Sequence, residues 1–206
     1  MQYWNELVTL KSWEKLQELK AKKLEFVLIG GWACYLWAKS HKSKDVDILV
    51  DLTELARLKA NFQLKKNTRL KKYEFSMDGI SVDVYVLFYS KFVLPAEYVA
   101  KNTVMVEGFR VPRPEILLLL KQQAEFERKH SEKGFKDRID IMDLLLKSDF
   151  DFESYLNIVK EFGLLEYWKR LVEIVSSFRE APYLGMGIQE LKKEKKRILT
   201  ALKAKM

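Results

Sequence analysis

Apolar residues recur at helical spacing over 4–22 (Leu7, Leu10, Trp13, Leu16, Leu19), which predicts an amphipathic helix. The period then shortens. Residues 24–29 form a compact apolar run closed by Gly30-Gly31, as for a buried strand stopped by a turn, and 32–38 reads as a helix. A second strand is expected over 46–50, and Thr53 is placed to cap a helix over 54–62. Two further runs, 73–77 and 80–88, flank Asp78-Gly79, a pair suited to the positive φ angles of a two-residue hairpin. Residues 104–111 repeat the arrangement around Glu107-Gly108. After Pro112-Arg113-Pro114 the pattern is helical to the end, with segments near 115–129, 135–147, 151–161, 164–178 and 188–204. Proline disfavours helix in the residue before it, so the boundary falls there. The expectation is an α+β protein, with a mixed α/β domain over 1–112 and a helical domain over 113–206.

Composition narrows this reading only slightly. At 206 residues and 48% hydrophobic, the chain can bury one sizeable core or two small ones. Its apolar runs are far shorter than the roughly 20 residues that span a bilayer, so no membrane segment is expected. The first residues lack a basic stretch followed by an apolar one, so no secretory leader is expected. The single Cys34 excludes an internal disulfide and a multi-cysteine zinc site, and it reads as a packed residue in a reduced, cytoplasmic setting. The net charge of +8 is uneven. Residues 192–206 hold seven basic side chains and one acid, Glu194. Such a run forms a solvated helix face, or a patch that contacts RNA or another polyanion.

The chemistry concentrates in three carboxylates. On a strand, Asp45 and Asp47 share a face, with Val46 and Ile48 turned to the core behind them. Asp83, in the 80–88 run, can join that face from a neighbouring strand. Three clustered carboxylates repel one another unless a cation offsets them. With oxygen ligands and no His or Cys, that cation is Mg²⁺ or Mn²⁺ rather than zinc. Gly30 and Gly31, between strand and helix, let backbone N–H groups approach a phosphate at the positive end of a helix. Lys42 and Lys44 can balance further phosphate charge. Lys121, in the apolar 116–120 region, either reaches the phosphates or snorkels at a helix edge. Asp137, Asp140 and Asp143 recur at i, i+3, i+6, and are expected to pair with Lys136, Arg138 and Lys147 rather than to bind metal.

Gly30-Gly31-Trp32-Ala33, then Lys44-Asp45-Val46-Asp47-Ile48, then Asp83 in an aliphatic strand resembles the nucleotidyltransferase fold of the DNA polymerase beta superfamily. The likeness is to its small prokaryotic branch, which includes antibiotic nucleotidyltransferases and nucleotidyltransferase-type toxins and antitoxins. It covers roughly residues 24–147, because Val111-Pro112-Arg113-Pro114-Glu115 and the 136–144 segment resemble the helices that follow the catalytic domain. The resemblance implies a mixed sheet with flanking helices followed by a C-terminal helical domain. It implies Mg²⁺- or Mn²⁺-dependent transfer of a nucleoside monophosphate from an NTP, with ATP the first expectation, to an acceptor hydroxyl, releasing pyrophosphate. By the match, Asp45 and Asp47 hold the metals. Asp83 shares one of them and serves as general base, while Gly30 and Gly31 cradle the triphosphate. Lys42-Ser43 departs from the Arg or Thr of several relatives, and Lys lacks the bidentate fork of Arg. The acceptor is a small molecule, a protein or RNA. The alternative is a catalytically weak relative acting as an interaction protein in a toxin–antitoxin type pair, and retention of all three carboxylates favours the enzyme.

Overall fold

The N-terminal helix runs over Glu6–Ala21 (α1) in the computed structural model, which describes residues 6–204. The expected start at Trp4 lies outside the described residues, as do Lys205 and Met206 of the basic segment. Its buried face is not the expected one. Thr9, Ser12, Leu16 and Leu19 are buried, whereas Leu7 and Leu10 are exposed. Ser12 explains part of the rotation, since its hydroxyl accepts a 2.9 Å hydrogen bond from the indole of buried Trp32.

The chain divides into two units, one ending at Arg113 and the other beginning at Pro114. In the first, Val27–Ile29 (β1), Gly30–Ala38 (α2) and Val46–Val50 (β2) follow the apolar pattern. Leu52–Asn61 (α3) is capped differently from expectation: the Asp51 carboxylate, not Thr53, accepts from the Glu54 N–H at 2.8 Å. Lys65–Asn67 (β3), Lys72–Met77 (β4) and Ile80–Val86 (β5) complete a five-stranded sheet of order β1-β2-β5-β4-β3. Only β2 and β5 are parallel neighbours. Their even-numbered residues, Val46, Ile48, Val82 and Val84, have no exposed surface and form the sheet's core face. Asp78 and Gly79, with φ of 49° and 84°, close the β4–β5 hairpin as the sequence predicts. Ala96–Lys101 (α4) and a two-stranded hairpin, Thr103–Val106 (β6) with Phe109–Pro112 (β7), end the unit.

Three elements escape the sequence pattern: β3, α4 and a short 3-10 turn at Ala181–Leu184. In β3, Lys-Lys-Asn offers no apolar alternation, because it is an edge strand facing water.

The second unit comprises Pro114–Arg128 (α5), Glu132–Lys147 (α6), Phe152–Glu161 (α7), Leu165–Ser177 (α8) and Ile188–Ala204 (α9). Leu117, Leu118, Ile139, Leu144, Leu171, Ile198 and Leu202 are fully buried in it. Four of its buried acids, Glu125, Asp137, Asp140 and Asp143, are matched to cations. Glu125 receives Arg170 at 2.6 Å and Arg138 at 3.1 Å, and Asp137 receives Arg128 at 2.7 Å. The partners expected for the α6 aspartates therefore hold for Asp143 with Lys147 (2.7 Å), whereas Asp137 pairs with α5. No helix among the described residues is long and apolar enough to cross a membrane.

Candidate active site

Asp47 sits centrally in β2, and the parallel register sets it directly beside Asp83 of β5. Residues paired this way share a face, so the two carboxylates stand together on the side opposite the valine core. The antiparallel pairing continues the row outward, from Asp83 to Glu74 of β4 and from Glu74 to Lys65 of β3. Asp45 differs from the strand placement expected for it. It is exposed in the turn just before β2, so simple strand alternation does not govern it. Its charge still reaches Asp83.

Lys72, which sequence reasoning missed, lies two residues from Glu74 along β4, and its side chain reaches diagonally into this row. Its buried ammonium donates to Asp83 Oδ2 at 2.5 Å and lies 3.1 Å from Glu74 Oε1. Glu74 is steadied by the Asn67 side-chain amide at 2.9 Å. Burial pushes the Asp83 carboxyl above its ordinary range, and the charges of Glu74 and Asp45 push the same way. The Lys72 hydrogen bond and charge oppose them. Burial by itself would lower the Lys72 pKa, but the bond to Asp83 and its charge, followed by Glu74, raise it. The Glu74 carboxyl is lowered, first by the hydrogen bond from Asn67 and then by Lys72 and Lys65. Only the Glu74–Asp83 register was signalled in the sequence. A two-residue turn at Asp78-Gly79 pairs 77 with 80, and counting back pairs 74 with 83.

Gly30 opens α2 against this row. Its φ is +67°, and a Cβ there would fall 2.0 Å from Asp47 Oδ2. The N-cap is Ile29, whose side chain makes no capping hydrogen bond. The first amides of α2, beginning at Gly30 and Gly31, thus have no acceptor from the N-cap side chain, and the Asp47 carboxylate stands close beside them. An anion suits such an end. Lys42 and Lys44, half-buried, lie in the segment leading to Asp45. Lys121 is buried in the helical unit, where its ammonium donates to Asp140 at 2.7 Å and lies 3.6 Å from Asp137.

For a divalent cation, the donor chemistry fits at two carboxylates. Mg²⁺ commonly takes one or two carboxylates and completes its shell with water and substrate phosphate, and the Asp47–Asp83 pair beside the N-terminus of α2 meets that description. Among the described residues, no three His, Cys, Asp or Glu side chains converge into a metal-holding group.

The chain matches no family model and no curated protein. Its fold matches solved structures. JHP933 from Helicobacter pylori aligns with a TM-score of 0.54 over 98% of this chain and 94% of that one, at 20% identity. A candidate nucleotidyltransferase, also from H. pylori, aligns with a TM-score of 0.52 over 93% of each chain, again at 20% identity. Identity this low speaks to fold alone. The chain has a nucleotidyltransferase-type fold, a mixed sheet with flanking helices followed by C-terminal helices.

Proposed function

We propose that this protein is a metal-dependent nucleotidyltransferase, moving a nucleoside monophosphate from an NTP, with ATP the first candidate, to an acceptor hydroxyl. The observation that carries the reading is the Asp47–Asp83 register beside the Gly30 turn. Asp47, with Asp45 adjoining, would hold a Mg²⁺ or Mn²⁺ ion, whose positive charge would offset that of the triphosphate. The α2 amides at Gly30 and Gly31 would receive phosphate oxygens, and Lys42 and Lys44 would add positive charge nearby. Asp83 would accept the proton of the acceptor hydroxyl. The hydroxyl oxygen forms a bond to the α-phosphorus, the bond to the bridging oxygen breaks, and pyrophosphate leaves with that electron pair.

The test is incubation with each labelled NTP, Mn²⁺ or Mg²⁺ and small-molecule, protein and RNA acceptor pools. The wild-type chain should incorporate label, and Asp47→Ala should lose at least about a hundredfold, the scale expected for a group acting at the reacting centre. Equal incorporation by the two rejects the reading.

Lys72 favours the second reading, a catalytically weak interaction protein, because its ammonium already occupies the Asp83 carboxylate. Calorimetry separates the two: absence of ATP binding in the presence of Mg²⁺ supports the interaction protein. In either case α9 is a candidate polyanion contact. Lys192, Lys195, Lys196 and Lys203 line a shallow depression of about 410 Å³ along it.

A further inference from the structure

We infer that Lys72 is a built-in counter-ion that takes the place of a second divalent cation on the Asp83 side of the site, so that the protein binds one such ion. The inference rests on the metal-dependent reading above and concerns how many ions that site admits.

The geometry is restrictive. Mg²⁺ binds oxygen at about 2.0–2.1 Å. The Lys72 ammonium lies 2.5 Å from Asp83 Oδ2, so an ion on that same oxygen would sit no more than about 4.6 Å from it. Two cations at that separation in a half-buried site repel strongly. The ammonium is also held from the other side, 3.1 Å from Glu74, which Asn67 fixes in turn.

The backbone limits escape of the lysine. Lys71, immediately before it, has a φ of +51°, and its carbonyl accepts a 2.5 Å hydrogen bond from Ser90 Oγ. The same Ser90 oxygen accepts the Val86 N–H of β5 at 2.9 Å. The start of β4 is thereby tied to the end of β5, and Lys72 enters the sheet at a fixed point with only 8% of its surface exposed.

Charge balance points the same way. Asp45, Asp47, Glu74 and Asp83 carry four negative charges between them. Lys72 and one divalent ion offset three of these, and Lys65, paired with Glu74, meets the fourth before Lys42 or Lys44 in the loop ahead of β2 is counted. A second divalent ion alongside Lys72 would leave the row net positive before any lysine of that loop is counted.

The experiment is a Mn²⁺ titration of the full chain, following free Mn²⁺ by electron paramagnetic resonance, for wild type, Lys72→Gln and Lys72→Arg. Circular dichroism reports that each is folded. Wild type and Lys72→Arg should bind one ion. Lys72→Gln should bind a second, or bind the first on the order of tenfold more tightly. Two ions per wild-type chain, a result that needs no variant, overturns the inference. So do matching isotherms for wild type and Lys72→Gln, which leave the metal-dependent reading intact. Failure of all three folded proteins to bind Mn²⁺ overturns both.

Discussion

Gly30 stands directly against the Asp47 carboxylate: a Cβ at position 30 would lie 2.0 Å from Oδ2 and 2.6 Å from Cγ of Asp47. The cause is the sheet register. Ile29, the last residue of β1, pairs with Asp47, so the chain must leave the strand at the carboxylate itself. It does so with a φ of +67°, which costs a residue bearing a Cβ about 1–2 kcal/mol before any clash. Gly30→Ala should therefore lose more than that, and should displace Asp47. We expect urea unfolding to report a loss of unfolding free energy of at least about 2 kcal/mol, together with weakened Mn²⁺ binding. Full retention of both would show that the turn tolerates a side chain and that the close approach has no role.

Much of this site was legible because strands impose a period of two and tight hairpins fix register. Asp47 and Asp83 follow from apolar residues at 46, 48, 82 and 84, and Gly30 from the end of an apolar run. The Lys72 contact was not legible. Lys72 opens β4 with no alternating pattern ahead of it, and its bond to Asp83 is diagonal across two strands. Asp45 illustrates the opposite error, since extending the alternation one residue past the start of β2 put an exposed turn residue on the strand. The partners of Lys121 and Asp137 lie on a neighbouring helix, and helical periodicity gives no information about which neighbour that is.

The cap of α3 separates local sequence preference from local geometry. Thr53 and Asp51 are both good capping residues, but β2 ends at Val50 and the backbone at Asp51 is still extended, with φ of −83° and ψ of −178°. Asp51 is thus the last non-helical residue, and its side chain meets the Glu54 N–H at 2.8 Å. Asp51→Ala should cost about 1 kcal/mol. Thr53→Ala should stay within about 0.5 kcal/mol of wild type. Chemical denaturation of the two variants checks the assignment, and the reverse order of effects would contradict it.

On α9 the lysines divide by what they already touch. The Lys195 ammonium donates to the carbonyls of Ser176 and Phe178, at 2.8 and 2.7 Å, at the C-terminal end of α8. Burial, followed by the nearby Arg179 charge, lowers its pKa. Lys192, Lys196 and Lys203 are exposed. A polyanion contact should accordingly depend on those three. Replacing each with Gln should reduce the slope of log K against log salt by about 0.7–0.9 per contact removed. Lys195→Gln should instead weaken the cap on α8 and lower the melting temperature. Filter binding to single-stranded RNA at several salt concentrations reads the first effect, and unchanged slopes would remove α9 from the proposed interface.

Tyr155 gives the helical unit a specific sensitivity to alkali. Its ring has no exposed surface, and its hydroxyl donates to Gln122 Oε1 at 2.9 Å. Gln122 in turn donates from Nε2 to the Tyr167 carbonyl at 2.6 Å. Burial drives the phenol pKa far above its ordinary value of 10.0, against a small opposing effect of the Gln122 bond. The folded chain therefore holds this proton where the unfolded chain releases it. Because the folded value is the higher one, the associated stability is fully present below about pH 10 and is lost as pH rises above it. The loss approaches about 1.4 kcal/mol per pH unit for one group. Between about pH 8 and pH 11, wild type should lose about 1.4 kcal/mol more than Tyr155→Phe, which has no phenol to ionise. At neutral pH the variant should be the less stable by about 1 kcal/mol, because Gln122 Oε1 loses its donor. Urea unfolding of both proteins at the two pH values measures the difference. Equal alkaline losses would mean that Tyr155 ionises as readily in the folded chain as in the unfolded one, contrary to its burial.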